Sequence, residues 1–404
     1  MSATDPWLRA LADLLARSHR LAPDTLPLAV DAALHDLGVT TTIYVADAEQ
    51  ERLRPLPEPN RPLPDPLPID STLPGRAYTE VRARVGQDGR LWVPVVNGTD
   101  RLGLLEVFLP PGLDPDDEAV RDGCRLIAGQ IGHLLTSKTA YGDSLHRARR
   151  SKPMTLSAEL LWHLLPPLTF ATDTVAISGI LEPCYEVGGD AFDYALDGST
   201  LTLAILDGVG YGLPAVLTTS VALSALRAAR RTGTELSELP AAIDAGLRSQ
   251  WTDGRFVTGV LASFDIDSGR LRYVNAGHPA PVLLRRGRAV RALTGGRRIP
   301  FGLIADATAG SVPATVTEMG LEPGDRLLLH TDGVTEARNA AGEMFGLRRL
   351  ADLAERHIGS GLPAPETLRR LSRAVAEHRG TASRDDATMV LVEWSGEAAA
   401  RVEP

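Results

Sequence analysis

The sequence predicts a two-domain protein of mixed α and β structure, on three observations. The chain has 404 residues, more than a single hydrophobic core usually serves. Its composition, 44% hydrophobic and 23% charged, is ordinary for a globular protein with a core in each domain. Strand-like and helix-like patterns of apolar residues alternate along the chain, most clearly beyond Pro167. We therefore expect an α+β fold.

Charge and cysteine content exclude several classes of function. The net charge is −9 and the basic residues are scattered, so no nucleic-acid partner is expected. The two cysteines, Cys124 and Cys184, cannot form a disulfide scaffold and do not have the spacing of a metal site. The chain start does not resemble a signal peptide, and no apolar run approaches the roughly 18 residues of a membrane span. We expect a cytoplasmic protein that does not contact a membrane.

Residues 1–140 begin and end with helical patterns and carry strand patterns between them. The strand signals are β-branched and apolar runs bounded by turn-forming residues. A proline-rich stretch, 55–68, is expected to be an extended surface loop. The predicted elements are helices at Trp7–Ala16, Leu26–Leu37 and Asp117–Thr136, and strands at Thr41–Ala46, Leu91–Val96 and Leu102–Leu109.

This order of helix, strand, variable loop, strands and helix, together with the stretch Pro68–Ala77, resembles a GAF sensory domain. The resemblance implies that residues 1–140 bind a small-molecule ligand, which the sequence does not identify. Cys124 falls on the apolar face of a predicted helix, so it is not expected to attach a haem or a chromophore.

Residues 141–167 are predicted to form a linker helix that ends at Pro166 and Pro167. Its second half carries leucines at helical spacing, which must pack either on their own domain or on a second copy of the chain. Two interpretations remain open: a spacer packed on its neighbour, or a helix that transmits a signal from the first domain within a homodimer. The leucines are Leu156, Leu160, Leu161, Leu164 and Leu165.

Beyond the linker, acidic residues recur where an apolar strand ends. Asp207-Gly208 follows the strand Leu201–Leu206, and Asp332-Gly333 follows a second apolar strand. An isolated Asp-Gly is usually a turn, but a carboxylate at the rim of a buried sheet is costly without a partner. Carboxylates that converge beside glycine can bind hard divalent cations. Two further candidates are Asp190, with Asp193 three residues later, and the pair Asp385-Asp386 before the last strand.

Six motifs that contain these residues resemble the PPM-type, or protein phosphatase 2C, fold in its bacterial stage II sporulation protein E form. They occur in family order over about 225 residues, which is far more specific than a single glycine pattern. The resemblance delimits a phosphatase domain at 168–395, with 396–404 as a tail. The motifs are Glu186–Asp190, Asp207–Gly212, Tyr273–Pro279, Pro300–Leu303, Pro323–Ala337 and Asp385–Thr388.

The resemblance implies an α-β-β-α sandwich of two antiparallel sheets flanked by helices, with two Mg²⁺ or Mn²⁺ ions between the sheets. Asp207 is then the bridging ligand, the Gly208 carbonyl binds one ion, and Asp332 and Asp385 complete the other. Asp190 acts directly or through a bound water. Within the acidic pair Asp385 is preferred over Asp386, because the family places its ligand first.

The resemblance also implies the reaction and the partner. A hydroxide that bridges the two ions attacks the phosphorus of phosphoserine or phosphothreonine, with Asp190, Asp207 and Asp332 as the catalytic carboxylates. The substrate is a phosphorylated protein, expected to be a small regulator of the anti-anti-sigma type. Tyr211 departs from the histidine common at this position, and a phenol is a poorer proton donor at neutral pH. His278 is either a replacement acid or a turn residue.

Three other functions remain as alternatives. A pseudo-phosphatase that only binds partners is disfavoured, since clustered carboxylates without cations repel one another. A nucleotide cyclase is suggested by Gly188-Gly189-Asp190, which the phosphatase motifs explain better. A purely sensory protein is the third. Metal-dependent hydrolysis of an aryl phosphate distinguishes the phosphatase from all three.

Overall fold

The computed structural model describes residues 5–59, 61–186, 188–303, 314–380, 386–396, 400 and 402. The chain divides into two compact units. One comprises residues 1–152 together with 401–404, and the other comprises 153–400. Each unit has its own hydrophobic core.

The first unit is built on one antiparallel sheet. Its elements are α1 (Pro6–Ser18), α2 (Leu26–Leu34), β1 (Thr40–Ala46), β2 (Arg52–Pro55), β3 (Leu67–Pro68), α3 (Leu73–Glu80), β4 (Arg84–Val85), β5 (Leu91–Asn97), β6 (Asp100–Phe108), α4 (Glu118–Thr139) and α5 (Ser144–Ala148). The strand order is β3-β2-β1-β6-β5-β4. The helices and strands that the sequence predicts here are confirmed, whereas helix α3 and the short strands β2, β3 and β4 were not predicted.

Apolar side chains lie on both faces of this sheet, since successive residues of a strand point to opposite faces, and helices cover each face. Ile43 and Val45 of β1 face a core that they share with α1, α2 and α4. Tyr44 and Ala46 face a smaller apolar cluster on the other side, which includes Tyr78 of α3. The first unit is therefore a three-layered α/β domain.

The linker differs from the single helix that the sequence predicts. It contains two helices, α5 and α6 (Leu156–Leu164), separated by residues 149–155. Pro153 lies in this gap, and proline lacks the amide hydrogen of a helix interior and disfavours helix in the residue before it. Leu161 is fully buried, and Leu160 packs beside it in a cluster with Val216. Leu164 and Leu165 also pack against cores of the second unit, whereas Leu156 is exposed. Four of the five leucines therefore pack on the second unit itself.

The second unit is a sandwich of two six-stranded sheets. Its further elements are β7 (Thr169–Ala171), β8 (Val175–Glu182), β9 (Asp190–Asp197), β10 (Thr200–Gly208), α7 (Gly212–Arg231), α8 (Leu239–Gln250), β11 (Val257–Asp265), β12 (Arg270–Ala276), β13 (Val282–Arg285), β14 (Arg288–Ala292), β15 (Arg297–Arg298), β16 (Thr317–Gly320), β17 (Arg326–His330), α9 (Asp332–Thr335), α10 (Leu347–Gly359), α11 (Ala364–Arg379) and β18 (Ala387–Trp394). One sheet has the order β15-β12-β11-β10-β9, with β16 also on β12, and the other has the order β14-β13-β17-β18-β8-β7.

The predicted α-β-β-α sandwich is confirmed. Alternate residues of β10, such as Leu203 and Ile205, fill the space between the sheets. Ala204 and Leu206 face the layer formed by α7 and α8. In the second sheet, β18 divides its side chains in the same way between the central core and the layer of α10 and α11. Among the described strands of this unit, every pair is antiparallel except β12 with β15.

Among the described helices, α7 is long and apolar enough to cross a membrane by length and composition alone. Its residues Ala222, Leu223 and Leu226 are fully buried against the first sheet. A helix that covers a sheet needs such an apolar face, so packing accounts for its hydropathy.

Candidate active site

Two of the predicted ligand aspartates face each other on neighbouring strands. Asp190 begins β9 and Asp207 lies near the end of β10, and the antiparallel register pairs these two residues directly. Asp190 is buried and Asp207 is half-buried. Burial raises the pKa of the Asp190 carboxyl well above its ordinary value, and the charges of Asp207 and Asp386 raise it further. Like charges directly opposite each other destabilise a sheet, so this arrangement favours a bound cation.

The second sheet contributes to the same place through Thr331. Its hydroxyl donates a hydrogen bond of 2.7 Å to Oδ2 of Asp190. The same hydroxyl oxygen accepts a 3.0 Å hydrogen bond from the Thr388 amide at the start of β18. Asp332 follows Thr331 directly and begins the short helix α9. The end of β17 and the start of β18 therefore lie against the start of β9, and the predicted site residues Asp190 and Asp332 belong to this junction.

Asp386 holds the loop that carries Asp190. Its buried carboxylate accepts hydrogen bonds from the amides of Gly188 at 2.7 Å, Gly189 at 2.9 Å and Asp190 at 3.3 Å. Successive amides that point at one anion form a backbone anion site, here filled by a side chain. The predicted ligand Asp385 lies outside the described residues. Asp386 therefore anchors the loop that carries Asp190.

Two glycines permit the close approach of these segments. A Cβ on Gly208 would lie 2.3 Å from Oγ1 of Thr219, so only glycine fits between the end of β10 and α7. A Cβ on Gly333 would lie 1.7 Å from the carbonyl oxygen of Asp386. The Gly208 amide also donates to the Gly189 carbonyl at 3.1 Å. The glycine after each aspartate is thus required by packing at the junction.

Asp193 is not part of this site. It lies three residues after Asp190 on β9, which places it on the opposite face of the strand. Its buried carboxylate pairs with Arg227 at 2.7 Å and with Arg230 at 2.6 Å, both on α7. Asp193 therefore fixes α7 to the first sheet.

His278 is a buried, neutral turn residue beside the site. Its amide donates to the Asn275 side chain at 2.8 Å, and its Nδ1 lies 2.8 Å from the hydroxyl of Thr258. Thr258 pairs with Asp207 in the register of β10 and β11. Burial, and secondarily the neighbouring His330, lower the pKa of His278 to about 3. The turn interpretation accounts for these contacts, and at neutral pH the ring does not supply a proton as an imidazolium.

Two features at the rim complete the site. His330, which the sequence analysis did not single out, is also buried, and burial lowers its pKa. It lies two residues before Asp332, at the end of the apolar strand β17. The sequence around it indicates a strand and gives no separate sign of a site residue. Tyr211 is 86% exposed in the glycine-flanked turn after Asp207, so it is accessible to a protein partner.

The donor set fits a hard divalent cation. The predicted ligands are carboxylate oxygens and the Gly208 carbonyl, and Mg²⁺ and Mn²⁺ prefer such oxygen donors over nitrogen or sulfur. Burial and, secondarily, the charges of Asp207 and Asp386 raise the pKa of Asp190, and a bound cation would oppose this rise. In the described part of the chain, which does not include Asp385, no three acidic, histidine or cysteine side chains already surround a common metal position.

Comparison with known proteins identifies the second unit. The family model for stage II sporulation protein E matches residues 197–395. The phosphoserine phosphatase RsbU of Bacillus subtilis is 24% identical over 221 residues, which is 54% of this chain and 63% of that protein. The phosphoserine phosphatase RsbP of the same organism is 28% identical over 199 residues, 46% of this chain and 48% of that protein. The chain thus spans less than two thirds of each of these relatives.

Among solved structures, the chain is similar to the SiaA-PP2C domain of Pseudomonas aeruginosa. The sequence identity is 22% and the TM-score is 0.48, and the match covers 64% of this chain and 98% of that domain.

Proposed function

Since residues 197–395 belong to the stage II sporulation protein E family, we propose that this chain is a metal-dependent protein serine/threonine phosphatase. One observation carries the proposal: Asp190 and Asp207 face each other across two strands, with Asp190 buried and close to a third carboxylate. Carboxylates this close together repel one another, and a bound cation relieves that repulsion. Two relatives of the chain are named phosphoserine phosphatases.

The proposed ligands of two Mn²⁺ or Mg²⁺ ions are the carboxylates of Asp190, Asp207, Asp332 and Asp385 and the carbonyl of Gly208. When bound, such ions supply activation of water and neutralisation of the charge on a phosphate. The chain's own contribution is orientation. Thr331 hydrogen-bonds Oδ2 of Asp190 and thereby fixes the rotation of the carboxylate. Asp386 in turn fixes the backbone from which Asp190 projects.

The proposed substrate is a phosphoserine or phosphothreonine of a small anti-anti-sigma-type regulator, as the family resemblance implies. The site lies between the edges of the two sheets and is flanked by the exposed turn that carries Tyr211. A folded phosphoprotein can approach such a site. We place the protein in the cytoplasm, with neither nucleic acid nor membrane as a partner.

Hydrolysis of a phosphoserine peptide is expected to require Mn²⁺ or Mg²⁺ and to cease in excess EDTA. Release of inorganic phosphate measures the rate, and calorimetric titration with Mn²⁺ measures binding independently of turnover. Asp332→Ala is the matched variant, since it removes a proposed ligand at the half-buried start of α9 without removing a core side chain. Full activity in EDTA, or Mn²⁺ binding without turnover, would contradict the proposal. The second outcome is the one expected of a pseudo-phosphatase.

We further propose that the first unit is a GAF-like sensor that binds a small molecule and controls the phosphatase through the linker, within a homodimer. The support lies in α6. The indole Nε1 of Trp162 donates to the Cys184 carbonyl at 2.8 Å, and the Thr155 amide donates to the Tyr185 carbonyl at 3.0 Å. These carbonyls precede the loop Gly188–Asp190 by a few residues, so movement of α6 is transmitted directly to a proposed ligand.

Removal of residues 1–152 is therefore expected to change the phosphatase rate several-fold, and Trp162→Phe in the intact chain is expected to change it in the same direction. The phenylalanine keeps the ring packing and loses the hydrogen bond to Cys184. Phosphate release and the mass in solution are compared with those of the intact chain. Identical rates for all three proteins would show that the linker is only a spacer.

A further inference from the structure

A cavity of about 530 Å³ lies along helix α10, apart from the aspartates. Three arginines, one aspartate and two apolar side chains line it. They are Phe345, Arg348, Arg349, Asp352, Leu353 and Arg356. The chain as a whole carries a net charge of −9. This arginine cavity is therefore opposite in charge to the protein around it.

One wall of the arginine cavity is held in place by contacts. The guanidinium of Arg349 lies over the ring of the buried Phe345, 5.5 Å from the ring centre. It also donates a 2.7 Å hydrogen bond to Nδ1 of His378, whose Nε2 donates in turn to the Glu343 carbonyl at 3.0 Å. A cation fixed in this way loses little conformational entropy when it binds an anion.

The other two arginines are open to solvent. The side chain of Arg348 is 95% exposed, and its ion pair with Asp352 is long, at 3.9 Å. Arg356 is exposed two turns further along α10. Long, exposed ion pairs contribute little to stability, so a stronger anionic partner can replace Asp352 at low cost.

Two of these arginines lie at the N-terminal end of α10, where a positive charge destabilises a helix. Arg348 and Arg349 are the second and third residues of α10, whose N-cap is Gly346, and this first turn contains no acidic residue. The helix dipole makes this end positive and disfavours cations there. Helix stability therefore does not account for the arginines, whereas an external anion would gain from both the side chains and the dipole.

The arginine cavity is joined to the proposed catalytic site by a short route. Asp332 begins α9, which ends at Thr335, and the Gly346 amide donates to the Thr335 carbonyl at 2.8 Å. Arg349 follows three residues later. The route from Asp332 to Arg349 consists of the turn of α9, the hydrogen-bonded pair Thr335 and Gly346, and the first turn of α10. Each step spans roughly 5 Å, so the α-carbons of Asp332 and Arg349 lie within roughly 15 Å of each other.

We propose that the arginine cavity is the docking site for an acidic segment of the phosphoprotein substrate. This inference rests on the proposed phosphatase function and specifies its substrate. An extended chain spans roughly 15 Å with four to five residues, so the acidic residues lie at about that separation from the phosphorylated residue. The arginines bind the carboxylates, and the apolar edges of Phe345 and Leu353 contact the intervening side chains.

Two synthetic phosphoserine peptides test the proposal. One carries three glutamates beginning four residues from the phosphoserine, on both sides, and the other carries glutamines there. With Mn²⁺ present, the parent protein is expected to have a KM roughly tenfold lower for the acidic peptide, with similar kcat, as two or three exposed ion pairs allow. Raising the salt concentration should reduce the difference.

The double variant Arg348→Gln, Arg356→Gln is expected to reduce this tenfold KM ratio to near one. Arg231→Gln is the matched control and should keep the ratio, because this exposed arginine ends α7, about 30 Å along the helix from the site. A parent that treats both peptides alike, or a double variant that keeps the ratio, overturns the docking site.

Binding of the fluorescently labelled acidic peptide, followed by anisotropy, separates this inference from the function on which it rests. Loss of binding in the double variant supports the docking site even if the parent releases no phosphate, a result that would refute only the phosphatase. Equal binding by parent and double variant refutes the docking site even if phosphate release is rapid.

Discussion

Replacement of Asp190 by asparagine is expected to abolish phosphatase turnover and to stabilise the metal-free protein. Asparagine has the same shape and can still accept the hydrogen bond from Thr331, but it removes a buried charge that faces Asp207 and Asp386. If the folded state raises the pKa of a carboxyl by one unit, removing that charge stabilises the folded protein by about 1.4 kcal/mol. In a unit of this size that raises the melting temperature by about 2–4 °C or more.

The pH dependence of this effect follows from the raised pKa of Asp190. A carboxyl whose folded-state pKa lies above its unfolded value stabilises the fold when protonated, and that stability is lost as the pH rises through the folded-state pKa. In EDTA, the advantage of Asp190→Asn should therefore be larger at pH 8 than at pH 4. Added Mn²⁺ should stabilise the parent and not the variant. Thermal melts measure both effects.

Asp193→Asn is the matched control, because it makes the same substitution three residues along β9. The Asp193 carboxylate is surrounded by arginines, whereas that of Asp190 is surrounded by carboxylates. Asp193→Asn weakens the ion pairs to Arg227 and Arg230 and is expected to lower the melting temperature while leaving Mn²⁺ binding intact. Turnover within a few-fold of the parent in Asp190→Asn would contradict its assignment as a ligand. A lower melting temperature of that variant in EDTA would contradict the charge argument.

Substitution of Asp386 is expected to have the largest effect on stability. Asp386→Ala leaves the amides of Gly188, Gly189 and Asp190 without their acceptor inside the sandwich. Each unpaired buried group costs about 1–3 kcal/mol, although water can satisfy some of them, so a loss of about 2–4 kcal/mol is expected. Asp386→Asn keeps one acceptor oxygen and should lose about half as much. Denaturant unfolding measures these differences.

The neighbouring Asp385→Ala provides the contrast. If Asp385 is the ligand, as the family resemblance implies, this variant should lose turnover and Mn²⁺ affinity while its unfolding free energy in EDTA stays near that of the parent. The reverse pattern, with Asp385→Ala unstable and Asp386→Ala stable but inactive, would exchange the roles of the two aspartates.

Much of the site could be predicted from the sequence because its elements are local. An apolar strand that runs into Asp-Gly predicts a carboxylate at a strand end, and Asp207 and Asp332 lie where this pattern places them. Asp190 instead begins its strand, β9. The sequence identifies the glycines as turn residues. It could not predict that packing requires glycine at Gly208 and Gly333, because the atoms that a side chain there would meet belong to the distant residues Thr219 and Asp386.

The sequence by itself determined the two-domain organisation and most of the longer strands and helices, and it singled out the candidate aspartates, because hydrophobic period and turn chemistry act over a few residues. The tertiary structure decided which carboxylates share a site and which do not. Asp193 pairs with α7 because side chains three residues apart on a strand point to opposite faces, and Asp386 binds amides some 196–198 residues away in sequence. Register and long-range packing fix such contacts, and neither leaves a signal in a local pattern.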